Sequence, residues 1–453
     1  MSFPRYPKYK ASGVEWLGDV PEHWEVSRLS IVTDILAGHS FDASLFGFDG
    51  IPVIRMSDFG DGLVQLEDAK RVDSTNVPEK SLARSGDVLL GLSGSISNFA
   101  VVREQDLPIA INQRVAVVRI HEAQRGSVKW FLQSTEFINQ LTAELPETTI
   151  QNISMAQLRR CKLPSPPQDE QTLIASFLDR ETSKIDGLVG EQRRLIELLK
   201  EKRQAVISHA VTKGLNPHAP LKPSGIEWLG DVPEHWGVMR LKHVKSDDKN
   251  AFVDGPFGSN LKSEHFIDNG DAYVIESGFA TQGRLDVADL KTISLDHFRT
   301  VSRSETKGGD IIIAKIGAQF GKSSILPTLD KPAVVSGNSL KLTINPQRCE
   351  VKFVHWHLTN LKQLGAIDDI VNGTAQPALS LGEMNNLPML VPPLDEQQAI
   401  VNYLETQLQE FDALTAEAER GIELLQERRT ALISAAVTGQ IDVRGLVETG
   451  EAA

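Results

Sequence analysis

Residues 12–29 read SGVEWLGDVPEHWEVSRL, and residues 224–241 read SGIEWLGDVPEHWGVMRL. Fifteen of the eighteen positions are identical at an offset of 212 residues. A second pair lies downstream. Residues 166–212 (PPQDEQ…AVISHAVT) align without a gap to 392–438 (PPLDEQ…ALISAAVT) at an offset of 226, with 23 of 47 positions identical. The second interior is therefore 14 residues longer than the first, and the two interiors diverge. The order is anchor, variable block, helix, written twice. A period this long excludes a solenoid and indicates duplication of a whole module. Like frames around unlike interiors suit a scaffold that reads two different things.

Each Pro-Pro pair precedes a helix start. Asp169 and Asp395 are expected at the N-caps, with Glu170 and Glu396 favoured in the first turn by the helix dipole. From there a 3-4 spacing runs Ile185, Leu188, Gln192, Leu195, Leu199, Lys202, Val206, His209. The second copy gives Phe411, Leu414, Ala418, Gly421, Leu425, Arg428, Leu432, Ala435. This is an imperfect heptad seam, either of a long core helix or of two helices paired in antiparallel fashion as a spacer. Two copies, each closing a module, favour the pair. Gly187 and Gly190 are expected to kink the first helix. The variable blocks read as mixed α+β. Strands are expected at 51–54, 87–90, 100–102 and 115–120, then at 273–275, 310–314 and 339–344. Helices are expected at 128–145 and 352–364.

The chain has 453 residues, enough for two or more domains. Its first residues lack the apolar core of a signal peptide, and no apolar run is long enough to cross a bilayer. Two cysteines, Cys161 and Cys349, fit reduced thiols in a cytoplasmic protein rather than a disulfide framework or a four-cysteine zinc site. The formal net charge is −13. Residues 27–147 hold 11 basic against 16 acidic side chains, and residues 239–388 hold 17 of each. A protein that grips phosphates alone usually carries a basic field. Any affinity of this chain for DNA should therefore depend on a partner.

Several motifs look chemical and fall short. Residues 317–323 read GAQFGKS, one residue shorter than a phosphate-cradling loop requires. A strand-to-strand turn carrying Lys322 is the better reading. Asp330 with Glu350-x-Lys352 matches a loose nuclease pattern that the first module lacks. His355 and His357 stand two apart on an expected helix and so point to different faces. His23 and His235 read as structural, packed beside Trp24 and Trp236. No adenine-methyltransferase motif is present. No cofactor, metal site or catalytic residue is expected.

The doubled anchor, the Gly-Asp turns (Gly86-Asp87, Gly309-Asp310) and the doubled PPxDEQ helix together resemble the specificity subunits of type I restriction-modification enzymes, over nearly the whole chain. The resemblance implies a non-catalytic, cytoplasmic DNA-recognition protein. Its fold would be α+β: two duplicated mixed target-recognition domains separated by two long antiparallel, coiled-coil-like helices in a pseudo-twofold arrangement. The implied layout is an anchor over 1–26, a first recognition domain over 27–165, a central helix over 166–215 and a repeated anchor over 216–238. A second recognition domain over 239–391, a distal helix over 392–438 and a tail over 439–453 complete it. Implied partners are double-stranded DNA, two DNA adenine methyltransferase subunits and restriction/translocase subunits, with no membrane. Two alternatives remain: an enzyme with its own nuclease or methyltransferase site, and a coiled-coil scaffold without DNA contact.

Base edges are read by Arg or Lys at guanine, Asn or Gln at adenine, and Ser or Thr at either. Polar loops between strands are the natural carriers. In the first block the candidates are Arg55, Ser57, Ser93, Ser95, Asn98, Asn112, Gln113, Arg114, Thr148, Thr149 and Gln151. In the second they are Ser259, Asn260, Lys262, Lys315, Gln319, Lys322, Asn338, Ser339, Thr374 and Gln376. Residues 254–262 (DGPFGSNLK) resemble a phrase common in the family's recognition domains.

Overall fold

A computed structural model describes residues 3–60, 62–93, 98–143, 152–256, 258–371 and 378–446. The chain divides into two compact units. One combines residues 1–193 with 419–453, and the other is the continuous stretch 194–418. The two long helices, Gln168–Lys213 and Leu394–Val437, each contribute one half to each unit.

Each unit carries two four-stranded sheets. In the first unit, Thr33–Ala37, Val115–Ile120, Val88–Gly91 and Phe99–Val101 lie side by side in that order, all antiparallel. In the second, Phe252–Asp254, Ser339–Leu342, Ile311–Ala314 and Ser323–Ile325 repeat the order and directions. The other sheets share three strands in the same order and directions. Ala110–Ile111 runs parallel to Ile51–Ile54, as Ala333–Val335 does to Ala272–Ile275. Arg71–Val72 and Lys291–Ile293 flank those pairs antiparallel. Buried β-branched runs such as VAVVRI and IIIA suit strands covered on both faces.

The Gly-Asp turns set the entry to one strand of each first sheet. Gly86 and Gly309 take φ of 85° and 92°, where a side chain would be strained. Asp87 and Asp310 are buried and accept the backbone N–H three residues earlier, from Arg84 and Lys307, at 2.8 and 2.9 Å. Their other lone pairs are filled differently. Arg119 forks onto Asp87, whereas the Thr306 and Thr343 hydroxyls donate to Asp310.

The repeated anchor and the repeated helix start meet. Glu170 lies buried at the head of the central helix. It accepts hydrogen bonds from Trp24 Nε1 (2.8 Å) and Tyr6 Oη (2.8 Å), and His23 Nε2 stands 2.6 Å away. Glu396 repeats this with Trp236 Nε1 at 3.1 Å and His235 Nε2 at 2.7 Å. His23 and His235 are thus structural, held by a carboxylate. Burial and the Glu170 carboxylate hold the Tyr6 phenol far above its ordinary value. The next residue also repeats, with Gln171 and Gln397 donating to the carbonyls of Pro166 and Pro392.

The helix that leaves one anchor ends against the other. Gly439, after the distal helix, packs on Pro21 and Trp24, while Gly214, after the central helix, packs on Trp236. Both take positive φ, 75° and 74°, as helix-ending glycines commonly do. Asp442 N donates to the Pro4 carbonyl at 2.9 Å, so residues near the two ends of the chain close the first unit together.

Within each unit the helix halves run antiparallel. Arg429 pairs with Asp186 and Arg180 reaches the Leu446 carbonyl in the first, while Arg203 pairs with Asp412 in the second and Gly214 lies beside Glu396. The seam differs in phase from the expected one. Ile185, Leu199, Phe411, Ala418 and Leu432 are buried as expected. Leu188, Leu195 and Leu414 are exposed at 47%, 41% and 46%, and Val189, one residue on from Leu188, is buried instead. Alternate positions agree because 3-4 and 4-3 spacings share every seventh residue.

Two local expectations also need correction. The helices start at Gln168 and Leu394, so Asp169 and Asp395 sit inside the first turn. The carbonyls of Pro167 and Pro393 accept the first helical bonds and take the cap position. The helix expected over 128–145 is two, Arg125–Phe131 and Thr135–Thr142, because the Ser134 hydroxyl accepts from Phe137 N and caps a new start.

Candidate nucleic-acid interface

At one end of the first sheet in each unit, the same backbone bonds gather the same loops. Asn112 N donates to the Ile54 carbonyl, and Ser336 N to that of Ile275, at 3.0 and 2.9 Å. Leu92 N reaches Arg114 O as Lys315 N reaches Asn338 O, at 3.0 and 2.8 Å. Ile153 N reaches Leu92 O as Leu379 N reaches Lys315 O, at 2.8 and 2.9 Å. Gly91 N meets Asn98 O as Ala314 N meets Lys322 O. A further loop presses in so closely that a Cβ on Gly38 would lie 2.1 Å from the Asn112 carbonyl oxygen. One on Gly255 would lie 2.0 Å from that of Ser336.

These bonds place Arg114 and Asn338 at one loop position, and Asn98 and Lys322 at another. Gln113, Arg114, Gln319, Lys322 and Asn338 are exposed. Asn112 is half-buried, and its side-chain oxygen accepts from Arg114 N. Asn98 is half-buried and donates to the carbonyls of Met56 and Phe59, and Ser93 donates to the Met56 sulfur. Arg55 joins the group but forks onto Asp58, which holds its guanidinium charged, while Ser57 also donates to Asp58. Ser339 is fully buried, with its hydroxyl beside Ser336. Lys315 is buried and ion-paired with Asp254 at 3.0 Å.

The segment 258–262 has bonds of its own. His297 Nε2 donates to the Asn260 carbonyl, and Lys262 N donates to His265 Nδ1. Asn260 and Lys262 are exposed, and Ser259 belongs to the turn Gly258–Asn260. Ser95, Thr148, Thr149, Gln151, Thr374 and Gln376 lie outside the described residues.

Two features were missed in the sequence. Asp254 is the acid that binds both Lys315 and Arg303, and nothing in DGPFGSNLK marks that role. The Arg55–Asp58 fork was legible as Arg-x-x-Asp, a spacing that recurs with the same geometry at Arg103 and Asp106.

The chemical-looking motifs resolve into structure. GAQFGKS turns from Ile311–Ala314 to Ser323–Ile325, with Gly321 N returning to Ala314 O. Asp330 accepts from Tyr273 Oη. Glu350 caps the helix Val351–Gln363, and Lys352 pairs with Glu405. Burial pushes His355 and His357 down to about 4, and they bond separately, to Ser323 and to Leu390 N. Cys161 and Cys349 are buried thiols not joined by a disulfide. Among the described residues, no group of three or more His, Cys, Asp or Glu could hold a metal, and no helix is long and apolar enough to cross a membrane.

Duplicated sheets whose loops share backbone bonds but carry different side chains, joined to halves of two long helices, define a duplicated α+β protein of two like units. The chain belongs to the family of the type I restriction modification DNA specificity domain, whose sequence model matches residues 21–197 and 257–424. It is the DNA-specificity, non-catalytic part of a type I restriction-modification complex. It is 25% identical to the type I restriction enzyme MjaVIII specificity subunit of Methanocaldococcus jannaschii over 94% of this chain and 95% of that one. It is 21% identical to the EcoBI specificity subunit of Escherichia coli, over 96% and 90%. A solved structure from work on the assembly and conformational transition of the type I system shares the fold. Its TM-score is 0.63 at 17% identity, over 92% of this chain and 98% of that one.

Proposed function

We propose that residues 27–165 and 239–391 are two target-recognition domains, each reading one half of a bipartite site in double-stranded DNA. The anchors over 1–26 and 216–238 fasten them to helices over 166–215 and 392–438. Those helices set the spacing and dock two DNA adenine methyltransferase subunits. Restriction/translocase subunits join this complex in the cytoplasm. The observation that carries this reading is the matched set of loop bonds presenting unmatched side chains, with Arg114 where the second unit has Asn338. Arginine suits guanine and asparagine suits adenine. The exposed readers are Gln113, Arg114, Asn260, Lys262, Gln319, Lys322 and Asn338, with Lys315 and Ser339 shaping the loops from beneath.

The net charge of −13 makes the isolated chain a weak DNA binder. Adding the methyltransferase subunit should tighten binding and steepen the fall of affinity with salt, because more phosphates are neutralised. Fluorescence anisotropy on a target duplex at several salt concentrations tests this. An equal slope with and without the partner contradicts the reading.

Gly38→Ala and Gly255→Ala should each push a reading turn outward and cost about 1–3 kcal/mol per displaced base contact. Each should damage its own half-site only. Competition binding with duplexes mutated in one half measures that selectivity.

A further inference from the structure

A groove of about 1030 Å³ lies in the second unit, beneath the two-stranded ribbon in which Gly237–Arg240 pairs with Pro388–Val391. Val238 and Met239 reach it with 38% and 45% of their surface exposed, and Pro388 and Val391 form part of its wall. Its titratable lining is wholly basic: Arg240, Lys242, His243 and Arg348. Arg348 is partly offset by the exposed Asp247, and Arg240 donates to the Asn386 amide oxygen, with no ion pair among the described residues. Lys242 is exposed and has no ion pair among the described residues. A basic, apolar-walled groove runs against the character of a chain carrying −13.

The groove also lies away from the reading loops. Ser339–Leu342 leaves the Asn338 turn at one end, and Ile344, at the other, bridges to Lys245 beside the groove. The five residue steps from Ser339 to Ile344 span about 17 Å if extended. The first unit has the same ribbon, Glu25–Arg28 on Lys162–Ser165, but with Glu25 and Ser27 where the second has Gly237 and Met239.

We propose that this groove docks an acidic segment of a protein partner that packs an apolar side chain against Met239 and Val391, which share one face of the ribbon. DNA phosphates would satisfy the basic rim but would leave the apolar wall uncovered. A peptide carrying both carboxylates and a hydrophobic anchor satisfies both. The partner is a protein subunit of the restriction-modification complex, so the inference rests on the assembly reading above.

The test uses the full chain with purified methyltransferase and restriction subunits and target duplex. A photo-crosslinking p-benzoylphenylalanine replaces Met239, whose exposure should tolerate it. Capture of an acidic stretch of a partner subunit is the expected result. In parallel, Arg240→Glu with Lys242→Glu should weaken assembly about tenfold while leaving the thermal midpoint of the free chain in place. Capture of DNA, of a non-acidic segment or of no protein overturns the groove proposal alone, provided the wild-type complex assembles. So does unchanged assembly of the charge-reversed variant. A wild-type chain that assembles with neither subunit brings down both this proposal and the function it rests on.

Discussion

Replacing residues 27–165 with the equivalent block of a related specificity subunit should change one half of the methylated site completely and leave the other half as it was. The physical basis is the separateness of the frames. The sheets of each unit close on their own cores: Val88, Leu90, Ala116 and Val118 in one, Ile311, Ile313, Leu340 and Leu342 in the other. The loops are fixed by backbone bonds, which do not depend on which side chains the loops carry. A new set of side chains on the same bonds should therefore read a new half-site without rearranging its support. Methylation mapping of a host carrying the chimera and its partners decides the matter. If both halves change together, the two blocks do not read independently.

The second large effect is on stability. Glu170→Ala should lower the unfolding free energy by about 3–5 kcal/mol, because it leaves the donors of Trp24 and Tyr6 buried and unpaired and deprives His23 of its carboxylate. Glu396→Ala should cost less, about 1–3 kcal/mol. The Glu396 side chain is 24% exposed against 5% for Glu170, so water can replace part of what is lost. The raised Tyr6 value gives a further sign. Tyr6 stays neutral in the fold where the unfolded phenol ionises, so its contribution holds below about pH 10 and fades above it. Urea unfolding of the two variants, and of the wild type up to pH 11, measures all three. Equal losses in the two variants would mean that Glu170 is not the more deeply committed clamp.

What the sequence made legible was whatever local pattern decides. The strands Ile51–Ile54 and Val115–Ile120 have the bounds expected from their β-branched runs. The long helices follow from length and the doubled PPxDEQ start. Phase was harder, since Leu188 and Val189 are both apolar and only packing chooses between them. The Trp24–Glu170 bond joins residues 146 apart, a distance at which no spacing rule operates. In the candidate interface, residue chemistry selected exposed Arg114, Lys322 and Asn338. It could not show that the Ser339 hydroxyl is buried beside Ser336, or that Lys315 finds its counter-ion in Asp254.

The crossing of helix ends has a consequence for how the chain is made. The second unit is one uninterrupted stretch, 194–418, and everything it packs together leaves the ribosome in sequence. The core of the first unit joins Leu432, Ile433 and Val437 to Trp24 and Phe177, so its residues before 194 must wait for those from 419 onward. Until then its core lacks one wall, and the apolar faces that the wall covers are open to water and to other chains. The earlier-made module is thus the later one to mature, and its delay is the time taken to synthesise the whole of its twin.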